Sequence, residues 1–317
     1  MMPARQDIEN AVRTAHADHV NDTGGANASY IPYLASVDPS LFGVAVVTVD
    51  GDVYEAGDTR FEFALESISK VFSMARCMED VGLQAFHDKI GADPTGEPFN
   101  SVVALTLHQG KPQSPLVNAG AMATVSLIQA DSPGERWHRI LQTQSDFAGR
   151  QISLSDAVND SEQSTNFHNR AIAWLMYSAG TMYSDPMEAC EVYTRQCSTL
   201  VTAVDLATMG ATIAARGTNP VTGKKVISNP SFVPPMLAEM TMEGLYTASG
   251  DWAYKVGLPG KSGVGGGVLA VMPGVLAIAG FSPPLDPAGN SVRARHAVAQ
   301  VAAALKLNLY NASDYAS

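Results

Sequence analysis

The chain of 317 residues has only three cysteines, Cys77, Cys190 and Cys197. An odd number at irregular spacing fits neither a disulfide framework nor a structural zinc site. Reduced thiols are typical of cytoplasmic proteins, and the first thirty residues lack an apolar run of signal-peptide length. We therefore expect the protein to work in the cytoplasm.

Basic residues and long apolar runs are also scarce. Lysine and arginine number 20 against 31 aspartates and glutamates, which gives a formal net charge of −11. Such an acidic chain is a poor partner for nucleic acid or for an anionic membrane surface. No run approaches the roughly 20 apolar residues that a membrane-spanning helix needs. We expect neither nucleic acid nor membrane among its partners.

Apolar residues are abundant, at 46% against 16% charged residues, so the chain can bury a sizeable core. The valine-rich segment 43–50 and its return at 53–56 across Asp50-Gly51 predict a hairpin. Two further apolar strands are predicted at 268–272 and 275–281. Between these two pairs of strands and at both chain ends, apolar residues recur at helical spacing. This spacing predicts helices at 7–20, 67–81, 118–130, 169–178, 202–216 and 292–307.

Strands at both ends and helices in the middle predict an α/β fold of the α+β type. Sequential hairpins are antiparallel, so the two chain ends are expected to build one antiparallel sheet with flanking helices. We predict a single catalytic domain over residues 1–317. Its sheet part would cover about 1–66 and 225–317, and a helical lobe would cover about 67–224.

Ser67-Ile68-Ser69-Lys70 is an S-x-x-K motif at the start of a predicted helix. A spacing of three places the hydroxyl and the amine on one helical face, where the positive end of the helix favours an oxyanion at Ser67. Lys70 can accept the serine proton only when neutral, which requires lowering its pKa by roughly 3 units, or about 4 kcal/mol. The motif alone is weak evidence, since such pairs also occur on ordinary helices.

Lys261-Ser262-Gly263 precedes the first C-terminal strand. S-x-x-K followed by K-[ST]-G is the arrangement of penicillin-recognising serine enzymes. There a strand lies beside the nucleophile and one of its N–H groups completes the oxyanion hole. Val264 would donate that N–H here, and the alternative for this segment is a simple turn before a strand.

The chain also carries long sequence segments in a fixed order, which are YIPYLA from Tyr30, GVAVVTVDG from Gly43, SISKVF from Ser67, PLVNAGA around Asn118, Ser161-Glu162 with Asn169, YTRQCS from Tyr193, GLY ending at Tyr246, VGLPGKSGVGGG through Val264 and FSPPLDPAGNSV from Phe281. In these segments the chain resembles the serine-dependent glutaminase family from Tyr30 to Ser291. The resemblance implies a fold similar to the serine β-lactamases and transpeptidases.

The resemblance implies hydrolysis of the side-chain amide of L-glutamine to L-glutamate and ammonia, without a metal or organic cofactor. Ser67 would form the acyl-enzyme and Lys70 would accept its proton. The N–H groups of Ser67 and Val264 would hold the oxyanion. Tyr246 and Tyr30 would lie near Ser67 and relay protons to the leaving ammonia. The resemblance also suggests a homodimer or homotetramer.

Four further residues, Asn118, Glu162, Asn169 and Tyr193, would hold the amino-acid end of the substrate, and Tyr30, Ser67, Tyr246 and Val264 would complete the binding pocket. Glu162 suits the substrate ammonium, and the other three offer neutral donors for its carboxylate. Taken singly, each has a structural alternative. The two asparagines could be helix N-caps, Tyr193 a core residue and Glu162 a solvated loop acid.

The chain departs from the family pattern at three positions near these motifs. Glu66 replaces the usual glutamine before the nucleophile. A carboxylate facing Lys70 would favour the charged amine, so we expect Glu66 to point away. His168 replaces a usual arginine and Ser114 a common asparagine, and both are expected to change local hydrogen bonding.

Two other functions stay open at this point. A β-lactamase or cell-wall peptidase shares both motifs, but those enzymes work outside the cytoplasm and carry an S-D-N element in place of Glu162 and the tyrosines. A non-catalytic glutamine-binding protein would keep the pocket without turnover. The intact set of Ser67, Lys70 and Tyr246 argues against that second alternative.

Overall fold

The computed structural model describes residues 2–311, so Met1 and residues 312–317 of the predicted domain lie outside the described residues. Its helices are α1 (Arg5–His19), α2 (Pro32–Ala35), α3 (Ser69–Val81), α4 (Leu83–Ile90), α5 (Val102–Leu107), α6 (Asn118–Leu127), α7 (Pro133–Ala148), α8 (Asp156–Thr165), α9 (Phe167–Ser178), α10 (Pro186–Cys197), α11 (Ala203–Ala214), α12 (Val233–Met242), α13 (Ser249–Lys255) and α14 (Val292–Ala304). Short 3-10 helices cover Glu66–Ile68, Pro230–Phe232 and Tyr246–Ala248.

The strands form two sheets. They are β1 (Gly43–Thr48), β2 (Val53–Gly57), β3 (Phe63–Ala64), β4 (Ser153–Leu154), β5 (Thr199–Val201), β6 (Gly260–Ser262), β7 (Gly267–Met272) and β8 (Leu276–Phe281). The larger sheet has the order β2-β1-β8-β7-β6, and every neighbouring pair in it is antiparallel. N-terminal β1 pairs with C-terminal β8, with Val46 opposite Ile278. The predicted sheet built from both chain ends is confirmed.

Strand β1 is buried along its whole length because helices cover both faces of the sheet. Its residues Val44 and Val46 pack in the core beneath α1 and α14, while Ala45 and Val47 pack in the core shared with α11. This double coverage explains why its sequence is a continuous apolar run without the alternation of a half-exposed strand.

The central helices pack around a second part of the core. Helices α3, α6, α7, α9 and α10 contact one another there, and the rings of Phe72 and Phe147 lie 4.9 Å apart. The small sheet, in the order β3-β5-β4, joins this lobe to the segment before α3, where the Leu65 amide donates to the Thr199 carbonyl at 2.8 Å. No helix among residues 2–311 is both long enough and apolar enough to cross a membrane.

Two local predictions near the motifs are corrected by the structure. Ser67 lies in the 3-10 helix Glu66–Ile68, and α3 begins only at Ser69. Lys261 and Ser262 lie within strand β6, with Lys261 opposite Leu269, so this segment is itself a strand, and the turn lies in the glycine-rich run that follows it, from Gly263 to Gly266. Three residues are too few for a strand to show a periodic pattern, and pairing with β7 decides the conformation.

Candidate active site

Ser67 lies at a strained turn between β3 and α3. Glu66, just before it, has a φ of +51°, in the left-handed region that non-glycine residues rarely adopt. Tyr246 has a similar φ of +58°, and its hydroxyl lies close enough to the Ser67 side chain to be affected by it and donates to the Ser262 carbonyl at 3.3 Å. Strain at two neighbouring positions is typical of functional sites.

Lys70 follows Ser67 by one turn, and its side chain is fully buried. Its Nζ donates to the Leu116 carbonyl at 3.2 Å and to Asn118 Oδ1 at 2.7 Å. Burial lowers the pKa of Lys70 to about 8, against the opposing charges of Cys197, Glu243 and Glu66. The amine therefore becomes neutral only slightly above neutral pH, whereas an ordinary lysine, with a pKa of 10.5, stays charged there.

The glycine-rich loop between β6 and β7 packs tightly on the segment that carries Ser67. A Cβ on Gly265 would lie 2.2 Å from the Ala64 carbonyl oxygen, and one on Gly263 would lie 2.9 Å from that of Leu65. Only glycine permits this close approach. Val264 lies between these glycines, and its N–H donates no hydrogen bond to any group within residues 2–311. A free donor thus lies beside the nucleophile turn.

Asn118 joins three of the predicted site residues to one another. Its Oδ1 accepts from Lys70 and, at 3.1 Å, from the Tyr193 hydroxyl, while its Nδ2 donates to Asn169 Oδ1 at 2.9 Å. The N-cap alternative is wrong for both asparagines. The caps of α6 and α9 are Val117 and Asn166.

Glu162 lies on helix α8 and is half-buried, so the solvated-loop alternative is wrong. Its Oε1 accepts a hydrogen bond from Ser198 Oγ at 3.2 Å. Burial raises the pKa of Glu162 to about 7, although its hydrogen bonds with Glu66 and Ser198 act in the opposite direction.

The prediction that Glu66 points away from the site is wrong. Its side chain is buried, forms a hydrogen bond with the carboxyl of Glu162, and its charge acts on Lys70. The positive φ of Glu66 turns its side chain inward. Gly263 and Gly265, in the loop between β6 and β7, pack against its Cβ and Cγ and hold it there. Burial, followed by the charge of Glu162, raises the pKa of Glu66 well above its usual range. Two buried carboxyls this close favour sharing one proton.

Tyr30 lies at the rim of the site, with 56% of the residue exposed. It is close enough to Glu66, Glu162 and Tyr246 for their charges to affect its hydroxyl. Together with Val264 and residues from two other loops it lines a surface depression beside the nucleophile turn, with Phe99, Leu285 and Gly289 among them. The depression is the natural approach to the buried residues.

Two buried charged residues at the site were not predicted to act there. The sequence analysis used Lys261 only as part of the K-S-G motif. In the structure its Nζ donates to the carbonyls of Gly244 at 2.8 Å and Ser262 at 2.7 Å. Burial and the neighbouring Lys70 lower its pKa well below the usual range. Glu243 affects both lysines and has no motif that could reveal it. Within residues 2–311 no group of residues at this site has metal-ligand spacing.

Ser114 and His168, the other two departures from the family pattern, both have hydrogen-bond partners in the structure. Ser114 Oγ donates to Glu239 Oε2 at 2.7 Å and accepts from the Leu116 amide at 3.1 Å, which fixes the peptide whose carbonyl binds Lys70. His168 Nε2 lies 2.7 Å from the Asn100 carbonyl, at the exposed edge of α9. Ser114 therefore supports the lysine, while His168 ties α9 to the loop before α5.

Comparison with known proteins gives concordant results. A family model described as Glutaminase matches residues 25–310. A glutaminase of Bordetella avium (strain 197N) is 68% identical over 301 residues, which cover 95% of this chain and 96% of the relative. A glutaminase of Brucella canis is 66% identical over 303 residues, which cover 96% of this chain and 95% of the relative. A solved structure described as "Probable glutaminase ybaS" superposes with a TM-score of 0.96 at 62% identity, covering 97% of this chain and 99% of that one.

We expect the substitution Glu243→Gln to lower the pKa of Lys70, because it removes a negative charge that raises that pKa. If Lys70 must be neutral for turnover, activity rises with pH through the pKa of Lys70, which is about 8 in the unaltered protein. The substitution should move this rise in activity to lower pH. The measurement is kcat/KM as a function of pH for both proteins.

Glu62→Gln is the matched control for this experiment. It removes the same charge from a nearby surface residue that pairs with Arg150, and it should leave the profile unchanged. Coincident profiles for Glu243→Gln and the unaltered protein would show that Glu243 carries no charge near Lys70 in the working enzyme.

Proposed function

The chain belongs to the glutaminase family, and on this premise we propose that it hydrolyses the side-chain amide of L-glutamine through an acyl-enzyme on Ser67. The Ser67 oxygen attacks the amide carbon and ammonia leaves, which forms a γ-glutamyl ester. Water then cleaves the ester to L-glutamate and regenerates Ser67. The observation that carries this proposal is the buried Lys70 amine one turn from Ser67, with a pKa of about 8.

Lys70 is the general base of this mechanism. A neutral amine accepts the Ser67 proton, and its two acceptors, the Leu116 carbonyl and Asn118 Oδ1, hold it in place in either protonation state. Both acceptors are uncharged, so they orient the amine without the strong bias toward the ammonium form that a carboxylate partner would bring.

The amides of Ser67 and Val264 stabilise the tetrahedral intermediate. The unused N–H of Val264 and the tight packing of its loop on the nucleophile turn support this role, because a preorganised donor needs no rearrangement when the oxyanion forms. The Tyr246 hydroxyl, which lies beside Ser67, relays the proton that Lys70 took from Ser67 to the departing ammonia, and Tyr30 assists from the rim.

Glu162 receives the substrate ammonium, and Asn118, Asn169 and Tyr193 receive its α-carboxylate. The network described above supports this arrangement, since Asn118 contacts both of the other two donors. The second Nδ2 hydrogen of Asn118 and the Nδ2 group of Asn169 remain available to a carboxylate. The ammonium and the Glu66–Glu162 pair have opposite charge, so binding of substrate favours loss of the shared proton.

We further propose that the protein is one catalytic domain over residues 1–317, with its sheet part at about 1–66 and 225–317 and its helical lobe at about 67–224. We also propose that it works in the cytoplasm. The three cysteines support a reducing compartment, because all three are buried free thiols.

Assembly into a homodimer or homotetramer is supported by an exposed apolar patch on α5 and α9. The patch comprises Val103, Leu107, Phe167, Trp174 and Tyr177, each between 51% and 70% exposed. The two helices are neighbours, since Leu105 and Ile172 line one cavity between them. An apolar surface of this extent usually marks a contact with another protein, and a second copy of the chain is the occupant we propose.

The catalytic proposal predicts loss of ammonia release in Ser67→Ala, with glutamine still bound. Lys70→Arg should lose about 10²- to 10⁴-fold in kcat, because a guanidinium stays protonated and cannot act as a base. The measurement is ammonia release together with calorimetric glutamine binding. Substantial turnover by Ser67→Ala would remove Ser67 from the nucleophile role, and binding without turnover in the unaltered protein would establish the non-catalytic alternative.

The proposed anchor predicts strong preference for glutamine over asparagine. The shorter substrate leaves its amide about 1.5 Å short of Ser67, and misplacement of that size costs on the order of a hundredfold in kcat/KM. N-acetylglutamine should also be rejected, because it lacks the ammonium. Glu162→Gln should weaken glutamine binding and narrow the gap between glutamine and its N-acetyl form.

Asp160→Asn, an exposed acid on the same helix, is the matched control and should leave the preference unchanged. Equal hydrolysis of glutamine and N-acetylglutamine by the unaltered enzyme would contradict the assignment of Glu162 as the ammonium site.

The assembly proposal predicts that Trp174→Asp lowers the molar mass measured by light scattering, because a carboxylate in the contact must be desolvated. Tyr254→Asp on α13 is the control, since Tyr254 is more exposed but lies outside the patch. A monomeric unaltered protein, or an unchanged mass in Trp174→Asp, would overturn the proposed interface.

A further inference from the structure

Two histidines from opposite ends of the chain meet at one carboxylate, outside the candidate active site. His19 is the last residue of α1, Asp22 follows in the next loop, and His296 lies on α14. Asp22 Oδ2 is 2.8 Å from His19 Nδ1 and 3.0 Å from His296 Nδ1. The ligand atoms of all three residues lie within 4.8 Å of one another.

This donor set has the chemistry of a zinc site. Two imidazole nitrogens and one carboxylate oxygen are common zinc ligands, and three protein ligands leave the fourth tetrahedral position for water. Zinc bonds of about 2.0–2.1 Å place tetrahedral ligand atoms about 3.3 Å apart. The distances from Asp22 Oδ2 to the two histidine Nδ1 atoms therefore need to increase by only about 0.3–0.5 Å for a zinc ion to bind. The side chains are 20–43% exposed, so small rotations can supply this opening.

The surroundings leave the three ligands available to a cation. Arg293 lies one turn before His296, near enough for the charge of Asp22 to act on its pKa. Its guanidinium nevertheless donates to Ser282 Oγ and to the carbonyls of Val20, Pro39 and Ser40. Arg293 makes no ion pair with Asp22 within residues 2–311. Asp18, on the preceding turn of α1, accepts from Gln300 and adds a second negative charge nearby.

We propose that His19, Asp22 and His296 bind a borderline divalent transition metal of the Zn²⁺ class and thereby fasten α1 to α14. The two helices pack side by side over the same face of the larger sheet, so a bound ion would join the two ends of the fold. An ion that binds the folded state alone stabilises that state by an amount that grows with the logarithm of the ion concentration once this exceeds Kd. The proposed role is structural and independent of the catalytic mechanism.

The test is calorimetric titration of tag-free folded protein with Zn²⁺, in parallel with Co²⁺ binding followed by visible absorption. We expect one Zn²⁺ per chain and the intense absorption of four-coordinate Co²⁺. His296→Ala and Asp22→Asn should each lose at least about tenfold in affinity, because each removes a direct ligand. Mg²⁺ and Ca²⁺ should not compete, since these hard cations prefer all-oxygen sites.

His87→Ala is the matched control, because His87 is an exposed histidine 3.7 Å from Asp88 but has no third ligand. It should bind Zn²⁺ as the unaltered protein does. His296→Gln, which keeps a polar side chain on the helix, provides a second variant if His296→Ala unfolds. The buried thiols Cys77, Cys190 and Cys197 require a thiol count before and after titration, because unfolding would expose them to zinc.

Equal Zn²⁺ affinity in His296→Ala, His296→Gln and the unaltered protein would overturn the proposal, as would the absence of saturable binding. A metal-induced rise in melting temperature that disappears in Asp22→Asn but persists in His87→Ala would support the clamp between α1 and α14. Ammonia release tests the catalytic proposal separately, so either proposal can fail without the other.

Discussion

The buried amine of Lys70 is the constraint on which the rest of the site depends. Lowering its pKa from the usual 10.5 to about 8 corresponds to roughly 3–4 kcal/mol of preference for the neutral form, and burial supplies it. A buried amine still needs hydrogen-bond partners, and a strong anionic partner would cancel the effect of burial. The structure meets both requirements with a peptide carbonyl, from Leu116, and a side-chain amide, from Asn118.

Both partners of Lys70 come from one short segment before and at the start of α6, and that segment is held from outside the site. Ser114 binds the Leu116 amide with its hydroxyl and reaches Glu239 on α12. Asn118 also contacts Tyr193 and Asn169, the groups assigned to the substrate carboxylate. The proposed base and the proposed substrate anchor therefore share one side chain. A substrate that moves Asn118 alters the hydrogen bonding of Lys70 at the same time.

The sequence predicted which residues lie at this site more accurately than it predicted the secondary structure around them. Ser67, Lys70 and Val264 follow from motifs whose spacing is local, and the sheet from both chain ends follows from two hairpin patterns. The strand at Lys261 is too short to show a period, and it depends on pairing with β7. The 3-10 conformation of Ser67 depends on packing against a loop nearly 200 residues away, which no local period records. The inward turn of Glu66 has the same origin, because the glycine loop that presses on it comes from the other end of the chain. Glu243 could not be predicted, since a lone acid has no pattern.

Lys261 shows how the second motif serves the first. Burial and the neighbouring Lys70 lower its pKa well below the usual range, so its charged form is disfavoured. A neutral amine can still donate to the carbonyls of Gly244 and Ser262, and these bonds join the turn that carries Tyr246 to strand β6. The loop with the free Val264 amide follows directly from that strand. One side of the site, with the Tyr246 hydroxyl and the Val264 amide, is thus fixed by Lys261, and the other, with Lys70, is fixed by Asn118. Ser67 lies where the two sides meet, directly after the left-handed backbone of Glu66.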